Sequence, residues 1–500
     1  MRQCYDARMF RETGGVRFRC RRVLFLACLG IGNWLLYSGP LPVRAAQSGS
    51  QAVPASEDVT RGFQTALSLY RSGRYTEAQH QLQPLLETNP SNFEINELTG
   101  LILAATGDDE KAASFLSQAV RIKPDLPEGR TALAASLVRL HRMGEAEIQL
   151  RQAVALAPQS YDTNHNLGEL YIQLDRLHEA LPCLKRAHEI DPADYNNGYD
   201  LSLAYERTGD LDHARQQLNA LIRIRDKAEL HSLLGEVEEQ AKNYMQSAAE
   251  LETAAHMDPS EDNIFEWGTE LLLHQTFEPA LAVFQAGLAR YPRSARLETG
   301  FGVAQYGLGH FEAGAQAFLD ASDMNPADSR PLVFLGKAYD NLSPATEQQI
   351  VSRYKRLINS GRAEASIRYY YAMALWRQGA DRPNPGQQAL IESLLKAAVA
   401  LDSRFSDARL QLGILFADQH KYEDAIAQYE LALKIDPSVA LLHYRLGQAL
   451  ARSGATARAQ EEFAVFERLR TQQTEAADKR TAEIQQFVYT LRHSHNANHE

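Results

Sequence analysis

The stretch Asn166-Leu-Gly-Glu-Leu-Tyr-Ile-Gln-Leu-Asp-Arg-Leu-His-Glu-Ala180 decides the fold. Leu167, Leu170, Tyr171 and Leu174 recur at helical spacing, a break falls at Asp175-Arg176, and a second helical set begins at Leu177. Gly168 and Ala180 are small, so the backbones of the two helices can approach closely where they cross. The stretch reads as an antiparallel helix pair.

The pair repeats. Pro90, Pro124, Pro158 and Pro192 stand 34 residues apart; Asp226 takes the next place, and Pro259, Pro292 and Pro326 continue at 33, 33 and 34. After an interruption, Ser403 and Pro437 are again 34 apart. Other places keep step with the prolines. Gly100, Gly168, Gly235, Gly268, Gly302, Gly336, Gly413 and Gly447 are each eighth in their unit. Ala112, Ala146 and Ala180 are twentieth, Leu116, Leu184, Phe284 and Tyr429 twenty-fourth, and Ala119, Ala153 and Ala187 twenty-seventh. Proline ends each second helix, because it lacks an amide hydrogen and clashes with the preceding turn.

This Leu-Gly…Tyr…Ala…Phe…Ala…Pro pattern in a 34-residue unit resembles the tetratricopeptide repeat family, although that family's fourth-position Trp is not kept. The resemblance covers residues 59–473, with twelve units starting near 59, 93, 127, 161, 195, 228, 261, 295, 329, 365, 406 and 440. It implies an all-α fold, an α-α superhelix of helix-turn-helix repeats. It also implies a concave groove lined by the second, fifth, ninth and twelfth residues of the first helices, where a protein or peptide partner binds. Carried over by position, unit four offers Asp162, His165, Glu169 and Ile172, and unit five Asn196, Tyr199, Leu203 and Glu206. Two specialised forms of the family are disfavoured. A clamp for a partner's C-terminal carboxylate needs Lys, Arg and Asn together, and these places are acidic or neutral. An Asn ladder at the sixth place is kept only at Asn166.

Unit nine carries Gln348, Ser352 and Lys355 where Ala, Leu and Ala are usual, so its second helix, with Ile350, Val351, Tyr354, Leu357 and Ile358, runs on another register. The expectation is a joint there, between an array over 59–364 and another over 365–473, with an enlarged turn at 380–388 in unit ten. Tyr369, Tyr370 and Tyr371 cannot all face inward on one helix, so at least one should be exposed. Beyond the last unit, Ile484, Phe487, Val488 and Leu491 supply a stripe for a capping helix over 474–492, before a polar tail at 493–500.

At the other end, Arg17, Arg19, Arg21 and Arg22 lead into an apolar run from Val23 to Tyr37, and Val43-Arg44-Ala45 follows. This reads as a signal peptide over 1–45 with a flexible leader over 46–58, or as an anchor if uncleaved. The expected location is exported, in the periplasm or extracytoplasmic envelope. Cleavage leaves Cys183 as the one cysteine, which excludes an internal disulfide. It also removes eight Arg and two acidic residues, taking the net charge from −11 to −17. That balance argues against a nucleic-acid partner.

No Cys-x-x-Cys, His-Glu-x-x-His, Gly-x-Ser-x-Gly or phosphate-loop motif is present. The expectation is a non-enzymatic scaffold with no cofactor and no metal. An assembly factor for an envelope machine (pilus, secretion, polysaccharide export or cytochrome maturation) is the runner-up, and a hidden hydrolase or transferase is the alternative of another class.

Overall fold

The computed structural model describes residues 57–337, 342–361, 364–379 and 384–472. Among them are twenty-four helices and no strand. The chain divides into two compact blocks between Asn243 and Tyr244. The N-terminal block holds α1 (Glu57–Arg71), α2 (Tyr75–Thr88), α3 (Phe93–Ala105), α4 (Asp109–Ile122), α5 (Pro127–Arg139), α6 (Met143–Leu156), α7 (Tyr161–Gln173), α8 (Leu177–Ile190), α9 (Tyr195–Thr208), α10 (Leu211–Ile224) and α11 (Ala228–Gln240). The C-terminal block holds α12 (Tyr244–Met257), α13 (Glu261–Leu273), α14 (Phe277–Arg290), α15 (Ala295–Gly307), α16 (Phe311–Met324), α17 (Arg330–Lys337), α18 (Pro344–Asn359), α19 (Ala365–Gln378), α20 (Pro385–Leu401), α21 (Ser406–Asp418), α22 (Tyr422–Ile435), α23 (Ala440–Ser453) and α24 (456–472). Odd-numbered helices come first in their repeat and even-numbered helices second, so each block is a helix-turn-helix solenoid.

Three local devices build each repeat. The first is the turn between its helices. The fifteenth residue is left-handed in ten repeats: glycine at Gly73, Gly107, Gly209, Gly309 and Gly454, and His141, Asp175, Lys242, Gln275 and His420 in the others, at φ from 57° to 65°. That conformation lets the amide of the sixteenth residue reach back to the carbonyl of the eleventh, as from Arg176 to Tyr171 at 2.8 Å and from Asp108 to Leu103 at 2.9 Å.

The second device ends the second helix. The residue before each proline is extended, with φ and ψ of −127° and 83° at Lys123 and −133° and 89° at Asp191. Arg225 and Asp402 adopt the same conformation before Asp226 and Ser403, so packing of the next repeat holds the geometry where proline is absent.

The third occupies the fourth place, where the family's Trp is missing. Here a polar side chain donates to the carbonyl at the inter-repeat corner: Asn96 to Pro90 at 3.0 Å, Asn164 to Pro158 at 3.1 Å and Arg409 to Ser403 at 2.9 Å. Each bond satisfies a carbonyl that the ended helix leaves open.

One hydrophobic cluster fills each block. The twentieth, twenty-fourth and twenty-seventh residues, such as Ala112, Leu116 and Ala119, are fully buried. Each such leucine contributes roughly 1.5–3 kcal/mol through burial. The eighth residue lies beneath the twenty-fourth; a Cβ on Gly168 would stand 2.6 Å from Leu184 Cδ2.

Several expectations change. The division between blocks falls inside repeat six and not at repeat nine, where one core cluster runs unbroken. Repeat nine keeps its place in that core by a substitution of partners. Ser352 is too small to cover Gly336, and Tyr370 of the next repeat lies there instead, 2.2 Å from a hypothetical Cβ. Ile350 and Tyr354 of α18 are fully buried, and the Tyr354 hydroxyl donates to Leu332 O at 2.8 Å. The enlarged turn at 380–388 is shorter than its sequence suggests. Pro385 opens the 17-residue α20, capped by the Asn384 side chain, so residues 385–388 are helical. The array's first helix begins at Glu57, inside the expected leader. The signal segment 1–45, most of the leader, the capping helix at 474–492 and the tail lie outside the described residues. Among the described residues no helix is long and apolar enough to cross a membrane.

Candidate protein-binding face

In the N-terminal block the first helices touch in succession, α1 to α3 to α5 to α7 to α9 to α11, and make one continuous wall. Tyr161 and Tyr195, the opening residues of α7 and α9, tie it together. The Tyr161 hydroxyl donates to Asp194 Oδ1 at 2.6 Å, and the Tyr195 hydroxyl to Glu229 Oε1 at 2.8 Å. Asp194 accepts from the Asn197 amide as well, at 2.8 Å, so one carboxylate both caps α9 and anchors α7.

The eight residues singled out from the sequence take different positions on this wall. Asp162 is exposed. His165 stacks on Tyr161 at 5.3 Å, with its Nδ1 3.3 Å from Asn197 Oδ1. Glu169, Ile172, Asn196 and Tyr199 are half-buried, and Ile172 and Tyr199 pack on the core cluster. Leu203 and Glu206 are buried, against the expectation of open groove positions. α11 packs beside α9, and Gln240 Nε2 donates to the Glu206 carboxylate.

Applying the same places to the flanking repeats reveals Glu97, and the neighbouring sixth place of repeat five adds Asp200. Glu97, fifth in repeat two, is 9 % exposed, and burial together with Glu128 and Glu94 pushes its carboxyl up to about 7. Lys123 opposes this shift but pairs with Glu94, at 2.6 Å. Asp200, sixth in repeat five, is likewise pushed up to about 7, by burial and by Glu169 and Asp194, against the influence of His165. Neither Glu97 nor Asp200 makes a hydrogen bond or ion pair among the described residues. Glu128 and Asp162 are exposed nearby. The sixth-place Asp200 was visible in the sequence only as a failure of an Asn ladder.

The corresponding places in the C-terminal block carry another chemistry: Phe265, Tyr306, Tyr369, Trp376 and Tyr444, with Arg296 and Arg330. Tyr371 is buried, Tyr370 covers Gly336, and Tyr369 meets Tyr370 edge-on at 5.0 Å and Phe405 at 5.1 Å. No tyrosine of the three is fully exposed, because the neighbouring helices cover the two that cannot face inward. Cys183 is half-buried in the N-terminal block, and burial pushes its thiol up to about 11, which keeps it protonated and unreactive.

Three family models match the chain: two described as tetratricopeptide repeat, over residues 63–127 and 175–237, and one as TPR repeat, over 413–454. The chain carries tetratricopeptide repeats, a fold whose arrays typically serve as non-enzymatic scaffolds for protein interaction. Comparison with curated proteins returns no match. Among solved structures the chain is similar to YrrB, a TPR protein with an unusual peptide-binding site, at 19 % identity over 36 % of this chain and 94 % of that one, TM-score 0.35. It is also similar to yeast Tom70, at 13 % identity over 81 % and 96 %, TM-score 0.40. A third is PilF of Pseudomonas aeruginosa, at 15 % identity over 41 % and 93 %, TM-score 0.37.

Proposed function

We propose that this chain is an exported scaffold that holds a helical or extended segment of a partner protein along the first-helix wall of its N-terminal block. The observation that carries the reading is the unbroken succession of first helices from α1 to α11. Side chains at equivalent places recur along it at one-repeat intervals, which suits many modest contacts with one extended partner. Export is supported by the basic stretch Arg17–Arg22, the apolar run Val23–Tyr37 and the small residues ending at Ala45.

Two measurements test this. The mass of the protein recovered from cells reads the cleavage site, expected after Ala45; an uncleaved cytosolic product overturns export. Photo-crosslinkers at Asp162 on the wall and at Ile224, exposed at the end of α10, read the binding face in cells. A single partner crosslinked from Asp162 and not from Ile224 is expected. A partner crosslinked only from Ile224 places binding on the second helices and overturns the reading.

A further inference from the structure

The wall's charge is one-sided. Four places in each of α3, α5, α7, α9 and α11 make twenty positions; nine are Asp or Glu and none is Lys or Arg. Acidic residues on a solvated helix face are ordinary, and the count alone says little. Glu97 says more. It is nine-tenths buried, has no hydrogen-bond or ion-pair partner among the described residues, and sits between Glu94 and Glu128. A buried carboxylate without a partner costs stability, and an apolar residue at that place would avoid the cost. Leu101 and Ala135 occupy other lining places without difficulty. Three repeats further along, Asp200 is half-buried and stands near Glu169 and Asp194, again without a hydrogen-bond or ion-pair partner among the described residues. Neither carboxylate is paired directly: Lys123, the cation that acts on Glu97, is bonded to Glu94 at 2.6 Å, and only His165 opposes the shift of Asp200.

We propose that the wall from α3 to α9 takes a Lys/Arg-rich segment of a partner protein, and that Glu97 and Asp200 receive two of its cations. The proposal rests on the scaffold reading and names the chemistry of the partner. Exposed Glu128 and Asp162 extend the attraction between buried Glu97 and half-buried Asp200. Helices pack about 8–10 Å apart, so three steps from α3 to α9 span about 24–30 Å. An extended segment of about eight or nine residues covers that distance. Anionic segments and nucleic acids meet repulsion along the whole path.

The test uses the full mature chain and three labelled twelve-residue peptides of alternating sequence, Lys-Ala, Ser-Ala and Glu-Ala, with binding read by fluorescence anisotropy at two salt concentrations. The Lys-Ala peptide should bind at least about tenfold more tightly than the other two, with the advantage shrinking as salt rises. Glu97→Gln and Asp200→Asn should each weaken it about three- to tenfold. Asp212→Asn, on the second-helix side, removes the same charge and should leave binding unchanged. Equal binding of the Lys-Ala and Ser-Ala peptides overturns the proposal, as does an Asp212→Asn loss equal to that of Glu97→Gln. These outcomes separate from failure of the scaffold reading. A crosslinked partner whose wall-bound segment is neutral or acidic defeats the cationic assignment alone, whereas crosslinks confined to the second helices defeat both.

Discussion

The two blocks use one repeat to hold two kinds of core. In the N-terminal block the twenty-fourth residue is leucine: Leu82, Leu116, Leu150, Leu184 and Leu218. Opposite them, at the eighth place, stand Ala66, Gly100, Ala134, Gly168 and Ser202. In the C-terminal block the twenty-fourth residue is an aromatic ring at Phe284, Phe318, Tyr429 and Phe463, and the eighth is glycine every time: Gly268, Gly302, Gly413 and Gly447. Where this block returns to leucine, at Leu395 of repeat ten, the eighth residue is Ala372. A branched side chain can turn its methyls away from a Cβ, whereas a flat ring lying on the helix cannot. The pairing rule therefore follows from ring shape and not from position in the chain.

Adding a methyl group at the eighth place breaks this comparison with the largest effect. In Gly413→Ala the new Cβ stands 2.4, 2.8 and 2.9 Å from three ring atoms of Tyr429, so the ring or α22 must shift. Overpacking of that kind costs about 1–3 kcal/mol, which exceeds the roughly 1 kcal/mol that alanine gains over glycine in a helix. A net loss of about 1 kcal/mol, and up to about 2, is expected in denaturant unfolding, read locally by hydrogen exchange in α21 and α22. Gly168→Ala puts its Cβ 2.6 and 2.7 Å from Leu184 Cδ2 and Cγ, so Leu184 must shift as well, but the loss should be smaller because Leu150 already packs over Ala134 in the neighbouring repeat. Tyr429→Leu in the Gly413→Ala chain should recover most of the loss. If both alanine variants cost the same, ring shape is not the reason for the glycines.

The second effect concerns the two walls. Glu97 holds its proton up to about pH 7 in the folded chain, while in the unfolded chain it releases it near the ordinary carboxyl value of 4.5. Raising pH through that window removes protons from the unfolded state first, so wild-type stability falls between about 4.5 and 7 and then levels off. Glu94, Glu128 and Lys123 face the same group, and the raised value already includes their fields. Glu97→Gln cannot titrate. It should therefore match wild type near pH 4 and exceed it at pH 8, by at most the roughly 3 kcal/mol that a shift of this size represents. The same variant weakens the proposed cationic partner, so stability and binding should move in opposite directions. Glu238 is the internal contrast: Arg215 is hydrogen-bonded to it at 2.9 Å and holds its carboxyl below the usual range, so Glu238→Gln should destabilise at pH 8.

The repeat itself was legible because its signals are periodic. Glycine, alanine and proline recur at fixed places, and each restricts the backbone for a reason that holds in every unit. The joint expected at repeat nine was misplaced because sequence shows that Ser352 departs from the pattern, but not that Tyr370 comes across from the next repeat to replace it. Pro385 looked like part of a loop, yet a proline is also suited to open a helix when a capping Asn384 precedes it. On the candidate wall, position alone selected Leu203 and Glu206, whose burial depends on α11 and Gln240, a repeat away. Glu97 lay at a lining place all along. Its distinguishing property is the absence of a partner, which no spacing reveals.

The smallest effect comes from the one place where the blocks do not differ. The fifteenth residue is left-handed in both, and each block accepts glycine and non-glycine residues there: Gly107 and His141 in one, Gly309 and His420 in the other. A side chain in this region costs about 1–2 kcal/mol from contact between its Cβ and the carbonyl oxygen. Glycine escapes that cost but loses roughly 0.5–1 kcal/mol more backbone entropy on folding. His141→Gly and Gln275→Gly should therefore each stabilise by about 0.5 kcal/mol, and Gly209→Ala should destabilise by about 1 kcal/mol, all without altering peptide binding. Nothing at the glycine positions crowds the added Cβ, with no atom within 4 Å at Gly107, Gly209 or Gly309, so the effect is purely one of backbone conformation. Equal shifts in the two blocks are the outcome to expect from denaturation midpoints. A gain in one block and a loss in the other would mean that the turn responds to the core beneath it, and the leucine and aromatic repeats would then differ in backbone as well as in packing.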